Sequence, residues 1–147
     1  MIIAIDFDDT VVEQEGRYDD LEKPLRLKPN ALKALRQLKA AGHVLLLYSA
    51  RANLALTGDD PSVDPLHRAG VISRNQTAKN KRLNVARYQQ MVAFCEAELP
   101  AIFDAIDDGR QGKPNANLFI DDKAVTFGPL GMNWRQIAAI YGEVKDE

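Results

Sequence analysis

Two short runs of apolar residues, at positions 2–7 and 44–48, constrain the fold of this chain more than any other feature. A near-continuous apolar run is typical of a strand that is covered on both faces, as in a parallel sheet. Between the two runs lies a helical pattern that begins near Pro29, stops near Gly42 and buries Leu32, Leu35 and Leu38. A strand, a helix and a second strand in this order predict a right-handed parallel crossover.

The rest of the chain continues the alternation of strands and helices. The patterns predict a helix over 84–99, a third strand over 101–106, a fourth over 118–120, an edge strand over 124–127 and a last helix after Asn133. Residues 52–82 have the composition of a loop followed by polar sequence, and they are the candidate for a small lid. Alternating elements predict a single α/β domain over 1–147, with a three-layer sandwich around a mostly parallel, Rossmann-like sheet.

Composition is that of an ordinary globular protein, and it argues against several other classes. The 147 residues are 46% hydrophobic and 27% charged, and the net charge of −2 does not indicate nucleic-acid binding, although a nucleic acid stays open as a substrate. The single cysteine, Cys95, excludes an internal disulfide and fits a reducing compartment, where we expect a buried thiol. Because there is no apolar run long enough for a membrane span and no basic signal segment, we expect a cytoplasmic protein without a membrane partner.

Polar side chains follow each of the predicted strands. Asp6, Asp8 and Asp9 end the first, where like charges repel one another unless a cation or a phosphate reaction offsets the repulsion. Turn and capping roles are the alternative for such aspartates. The later strands are followed by Ser49 and Arg51, by Lys113, and by Asp121 and Asp122. Because ligands of parallel sheets gather at the carboxyl ends of the strands, we expect these side chains to converge on one edge.

Four segments, taken in chain order, resemble the motifs of the haloacid dehalogenase-like (HAD) phosphohydrolases. The stretch DFDDT, which spans Asp6 to Thr10, resembles the first motif, and LLLYS, which ends at Ser49, resembles the second. Lys113 is similar to the lysine of the third motif, with Lys79 and Lys81 as alternatives, and LFIDD resembles the fourth motif. The resemblance spans residues 6–122 and implies the HAD-like fold. Neither interval between the motifs has room for a full cap domain, which implies the capless type.

The resemblance implies a Mg²⁺-dependent phosphatase that hydrolyses a phosphomonoester through an aspartyl-phosphate. Asp6 would be the nucleophile and Asp8 the general acid and base. The implied metal ligands are Asp6, the backbone carbonyl of Asp8 and Asp121, with Asp122 acting through a water or by orienting the others. The implied phosphate-binding residues are Thr10, Ser49 and Lys113, and a weaker substrate-binding role falls to Arg51, for which a surface position is the alternative.

Other classes of protein fit parts of the same pattern. A phosphoacceptor receiver domain is disfavoured because its acceptor aspartate ends a middle strand, where this chain has Ser49. A non-catalytic metal- or phosphate-binding interaction module would keep the fold without the chemistry, and a phosphotransferase of the same fold would pass the phosphoryl group to another acceptor. The expected substrate is a phosphorylated compound whose identity the residues leave open, and they leave the oligomeric state open as well.

The stretch 65–95 contains no acid, but it contains Arg68, Arg74, Lys79, Lys81, Arg82 and Arg87. One interpretation is a solvated basic face. Another is a rim that attracts a phosphorylated substrate. A third is pairing with the acidic stretch 13–22 of a second subunit.

Overall fold

The structure is a computed structural model that describes residues 1–16, 20–52, 68–71, 73–123 and 133–142. In chain order its elements are β1 (Ile2–Ile5), β2 (Val12–Gln14), β3 (Leu25–Leu27), α1 (Ala31–Ala40), β4 (Val44–Leu47), a 3₁₀ turn (Ala50–Ala52), α2 (Arg74–Glu98), β5 (Ala105–Ile106), β6 (Leu118–Ile120) and α3 (Trp134–Tyr141). Helices separate most strands of the main sheet along the chain. The fold is therefore α/β, in an arrangement compatible with a Rossmann-like fold.

The main sheet has four strands in the order β5-β4-β1-β6, and every pair of neighbours is parallel. Ile5, the last residue of β1, lies opposite Leu47 in β4 and opposite Ile120 in β6. These three residues also end their own strands, so the three strands stop at the same level. The residues that follow them emerge together at one edge of the sheet, which is where ligands of parallel sheets bind.

The core is built around β1, whose Ile3 and Ile5 are fully buried. Leu35 and Leu38 of α1 are buried as well, and α1 packs against α3. Also buried are Met91 and Cys95 of α2, Leu99 directly after that helix, and Trp134, Ile137 and Ala138 of α3. Full burial of one such aliphatic side chain contributes about 1.5–3 kcal/mol. This core holds β1 in place, and with it the acidic residues that follow the strand.

A capping box sets the start of α3. Asn133 accepts the backbone N–H of Gln136 at 3.1 Å, and the Gln136 side chain accepts the backbone N–H of Asn133 at 2.9 Å. Such reciprocal bonds satisfy two donors that the first turn of a helix otherwise leaves without partners. The box therefore fixes the position of Trp134, the first residue of the helix, which contacts the candidate site described below.

Several sequence predictions are confirmed. The strand over 118–120 has the predicted bounds, the last helix starts after Asn133 as predicted, and Cys95 is buried. The first strand ends at Ile5 rather than at residue 7, because the chain turns there, although Phe7 stays fully buried. No helix in the described ranges is both long and apolar enough to cross a membrane.

Two further predicted boundaries are wrong. The helix predicted over 84–99 begins at Arg74, because most residues of 74–83 are arginine, lysine, glutamine, alanine or leucine, which are good helix formers although they show no apolar period. The third strand is Ala105–Ile106 rather than 101–106, since Ala101, with φ of 59°, belongs to the turn after α2. Of the predicted lid, residues 74–82 are helix, whereas 53–67 and 72 lie outside the described residues, as do the edge strand at 124–127 and residues 17–19 of the acidic stretch.

The loop after β5 packs against the 3₁₀ turn through Gly109. The φ of this glycine is +75°, and a Cβ there would clash with the backbone carbonyl oxygen of Ala52. We expect Gly109→Ala to lower the free energy of unfolding by about 2–3 kcal/mol, because backbone strain and a clash with backbone act together. Gly112→Ala is the matched control, since φ is +70° but no atom lies within 4 Å of the added Cβ. Denaturant unfolding of both variants measures the difference, and equal losses would contradict the clash.

Candidate functional site

Three aspartates meet where β1 and β6 end. The N–H of Asp6 donates to the carbonyl oxygen of Ile120 at 2.9 Å, which extends the pairing of the two strands. Asp121 and Asp122 follow β6 directly. Each of the three aspartates offers one carboxylate oxygen, and these oxygens lie within 4.8 Å of one another. The structure thus brings together three acids that the sequence predicted to converge, and they could hold a metal ion.

The surroundings of this acidic cluster disfavour its full ionisation. Burial, with smaller contributions from the charges of Asp121, Asp8 and Asp122, raises the pKa of Asp6 from 3.8 to about 7 against the opposing hydrogen bond from Phe7. Burial, followed by the hydrogen bond and the charge of Asp121, also raises the pKa of Asp122. Near neutral pH the cluster therefore favours either a bound proton or a neighbouring cation.

The hydroxyl of Thr10 connects two of these acids. Thr10 Oγ1 accepts the N–H of Asp122 at 2.9 Å, across 112 positions, and donates to Asp6 Oδ2 at 3.5 Å. The Thr10 carbonyl oxygen accepts the indole N–H of Trp134 at 2.6 Å, and both residues are buried. In this arrangement the hydroxyl holds the backbone at Asp122 and lies beside the Asp6 carboxylate. A direct phosphate-binding role for Thr10 stays a prediction.

A tight turn carries the chain from β1 to Thr10. The carbonyl oxygen of Phe7 accepts three backbone N–H groups, those of Thr10, Val11 and Val12, at 3.4, 2.9 and 3.1 Å. Asp9 has φ of 58°, in the left-handed region that Asp and Asn tolerate better than most residues. Asp9 is exposed, so the third aspartate of the first motif serves the turn rather than the cluster.

Asp8 points to an arginine. Arg51 Nε and Nη2 donate to the two carboxylate oxygens of Asp8, at 2.8 and 2.6 Å. The Arg51 side chain is 0% exposed and that of Asp8 is 10% exposed. Arg87 Nη2 lies 3.6 Å from Asp8 Oδ2. A bidentate pair between a guanidinium and a carboxylate is among the strongest and most directional polar contacts, so Arg51 sets the orientation of Asp8.

Ser49 lies at the same edge of the sheet. The N–H of Tyr48, the residue before it, donates to the carbonyl oxygen of Ile5 at 2.8 Å, which continues the pairing of β4 with β1. Ser49 is buried, and its Oγ accepts the backbone N–H of Arg51 at 3.2 Å. The predicted position of Ser49 beside the end of β1 therefore holds, and its hydroxyl helps to shape the turn that carries Arg51.

Lys113 is exposed on the loop between β5 and β6. Its Nζ lies 4.5 Å from the centroid of the Phe119 ring, a cation–π contact with the strand that leads to Asp121. A cavity of about 400 Å³ lies beside this lysine, lined by residues that include Asp107 and Asp108. Within the described ranges no ion pair joins Lys113 to the acidic cluster. The alternatives, Lys79 and Lys81, lie in α2.

Two residues of α2 contribute to the site although the sequence did not single them out for it. Arg51 Nη1 donates to the carbonyl oxygen of Arg87 at 3.0 Å and to Gln90 Oε1 at 2.9 Å. The interpretation of the basic stretch as a solvated face is wrong for Arg87, because its side chain is 13% exposed and faces Asp8. The surface alternative for Arg51 is wrong as well, since that side chain is fully buried. The sequence did contain one indication of this role, because the polar residues Arg87 and Gln90 are three positions apart in a helix and therefore share a face beside the buried Met91.

No protein-family model and no curated protein matches this chain. A solved structure of a conserved protein from Bacteroides thetaiotaomicron is similar to it, with a TM-score of 0.54 and 27% sequence identity. The similarity covers 99% of this chain and 93% of that chain, which agrees with the α/β fold described above.

Proposed function

We propose that this chain is a Mg²⁺-dependent phosphatase of the HAD-like superfamily, of the capless type, with a three-layer sandwich around its sheet. The observation that carries the proposal is the hydrogen-bonded chain from Asp6 through Thr10 to Asp122, which joins the first and fourth motifs. Ser49, from the second motif, follows the strand next to β1. Motifs that are distant in the sequence thus share one edge of the sheet, as a common site requires.

In the proposed reaction Asp6 is the nucleophile. Its carboxylate oxygen forms a bond to phosphorus while the bond from phosphorus to the leaving oxygen breaks, and Asp8 gives that oxygen a proton. Water then attacks the phosphorus of the aspartyl-phosphate, and Asp8 takes the proton of the water. Inorganic phosphate leaves, and Asp6 is restored as a carboxylate. Each step therefore needs Asp8 in a fixed orientation towards the phosphoryl group.

A hard divalent cation fits the oxygen donors beside Asp6. The carboxylate oxygens of Asp6, Asp121 and Asp122 lie within 4.8 Å of one another, and burial raises the pKa of Asp6 to about 7. A neighbouring cation would lower the cost of ionising Asp6, which a nucleophile requires. Asp6, Asp121 and the backbone carbonyl of Asp8 would hold the ion, with Asp122 in support. When bound, Mg²⁺ would stabilise negative charge on the phosphoryl group.

Two other side chains would contact the phosphoryl oxygens. The Ser49 hydroxyl would donate to one of them from the end of β4. The Lys113 ammonium would reach another by leaving the face of Phe119, which the flexible stem of a lysine allows. Thr10 would act through Asp6 and Asp122. The phosphorylated substrate, the cytoplasmic location and the absence of a membrane partner stay predictions.

Metal removal tests the proposed activity. The purified protein is given para-nitrophenyl phosphate with Mg²⁺, with EDTA, and with Mg²⁺ restored after EDTA. We expect hydrolysis to fall by at least about 100-fold in EDTA, because charge stabilisation in the transition state is lost, and to recover fully with Mg²⁺. Equal rates with and without EDTA would contradict the metal. Mg²⁺ binding without turnover would favour the interaction module, and transfer to an added alcohol in place of hydrolysis would favour the phosphotransferase.

A further inference from the structure

We propose that Arg51 positions Asp8 for proton transfer, and that it acts through the Asp8 carboxylate rather than on the substrate. The inference rests on the proposed function, in which Asp8 is the general acid and base. Two features of the structure support it, namely the geometry of the contact between the two side chains and the way in which Arg51 itself is held.

The contact between Arg51 and Asp8 fixes both the position and the rotation of the carboxylate. Nε and Nη2 of the guanidinium donate to different oxygens of Asp8, at 2.8 and 2.6 Å. A carboxylate offers about four lone-pair sites, and a bidentate pair occupies one on each oxygen. Each oxygen therefore keeps a second lone pair that the contact with Arg51 does not occupy. A lysine, which is a point charge, would leave the carboxylate free to rotate.

Arg51 is held on its other sides by α2 and by an aromatic ring. Nη1 donates to the carbonyl oxygen of Arg87 at 3.0 Å and to Gln90 Oε1 at 2.9 Å, and the guanidinium lies 5.1 Å from the centroid of the Phe7 ring. Gln90 in turn donates to a backbone carbonyl of the loop between β2 and β3. The guanidinium is enclosed by these contacts, so it is a rigid support for Asp8.

Stability alone gives little reason to bury this ion pair. Removing both charges from water offsets most of their attraction, and apolar side chains of similar volume often stabilise a core equally well. The pair instead lies next to the proposed nucleophile, Asp6, where the orientation of an acid decides whether a proton reaches the leaving oxygen. Because the Arg51 side chain is 0% exposed, we assign it no contact with a substrate anion.

Leaving-group dependence tests this role. An alkyl phosphate needs a proton on its leaving oxygen, whereas para-nitrophenyl phosphate needs little assistance. We expect Arg51→Met to lower kcat/KM, which reports the steps up to formation of the aspartyl-phosphate, by about 100-fold for the alkyl ester and to leave kcat/KM for the aryl ester nearly unchanged. Arg51→Lys should recover part of the loss, and it replaces Arg51→Met if that variant does not fold. Arg26→Met is the matched control, because it removes an arginine from an exposed ion pair with Glu15.

Three results would overturn the proposal. Equal losses of kcat/KM on both esters would indicate a general disturbance of the fold or contact with the phosphoryl group, and no loss on either ester would show that Asp8 needs no support from Arg51. If the wild-type protein hydrolyses neither ester, the proposed function fails. The free energies of unfolding of Arg51→Met, Asp8→Asn and the double variant then decide whether Arg51 acts through Asp8. Non-additive losses of stability would show that Arg51 and Asp8 are coupled, as the proposal requires, and additive losses would overturn it.

Discussion

Asp6→Asn is expected to lower the hydrolysis of para-nitrophenyl phosphate by at least about a thousandfold while the protein remains folded. The amide has nearly the size of the carboxylate, but it cannot attack phosphorus. The fold should tolerate the change because burial already disfavours the charge of Asp6 and raises its pKa to about 7. Initial rates with Mg²⁺, together with an unfolding curve for each protein, measure both parts of this prediction.

Asp9→Asn is the matched control for this variant. It makes the same chemical change in the same motif, but Asp9 is exposed and its φ of 58° suits asparagine as well as aspartate. We therefore expect a rate close to that of the wild-type protein. Full activity in Asp6→Asn would exclude Asp6 as the nucleophile, and equal losses in the two variants would indicate a general electrostatic effect of the motif.

The second large effect concerns stability. The pKa of Asp6 is 3.8 in the unfolded protein, and burial raises it to about 7 in the folded protein. In the metal-free protein, we therefore expect the free energy of unfolding to fall as the pH rises through the window between these two values. Within that window the folded state keeps a proton that the unfolded state has released, so rising pH favours unfolding. The difference corresponds to about 4 kcal/mol. Asp122, whose pKa burial also raises, contributes with the same sign.

Comparison with Asp6→Asn isolates this effect. The variant has no carboxyl group at that position, so its stability should depend less on pH within the window. Asp104, whose pKa is lowered by the hydrogen bond from Lys39, has the opposite dependence in both proteins and cancels in the comparison. Denaturant unfolding in EDTA at several pH values measures the difference. Parallel stability curves for the two proteins would contradict the role of burial at Asp6.

A divalent cation should reverse this loss of stability. At neutral pH, Mg²⁺ at 100 times its Kd should stabilise the wild-type protein by about 2.7 kcal/mol, because it binds the folded state alone. The same concentration should stabilise Asp6→Asn much less, since one of the three carboxylates is missing. Equal stabilisation of both proteins would show that the ion binds elsewhere.

The convergence of the acids could be predicted because it depends only on strand order and strand length. An apolar run predicts a strand, and parallel strands that end level with one another deliver the next residues to one edge. Ile5 lies opposite Ile120, so Asp6 and Asp121 follow at the same level. Neither step needs information about side-chain packing. Ser49 could be predicted on the same grounds.

The partner of Arg51 could not be predicted, because packing of a helix on a turn determines it. Arg51 follows β4, and from the sequence its side chain had two options, the substrate or the surface. Its burial depends on contacts with Arg87 and Gln90 in α2, a helix whose start the apolar pattern places too late. No local pattern reports a contact between such distant segments. The loop that carries Lys113 presents the same difficulty, since a flexible side chain there can take several directions.

A phosphoryl group trapped on Asp6 would test the central claim most directly. The wild-type protein and Asp8→Asn, which should slow the second step, are quenched in acid during turnover of para-nitrophenyl phosphate, digested and analysed by mass spectrometry. We predict that the peptide with Asp6 gains the mass of one phosphoryl group in both proteins, and that Asp6→Asn shows no such gain. Turnover without a phosphoryl group on Asp6, or with one on a different residue, would contradict the proposed mechanism.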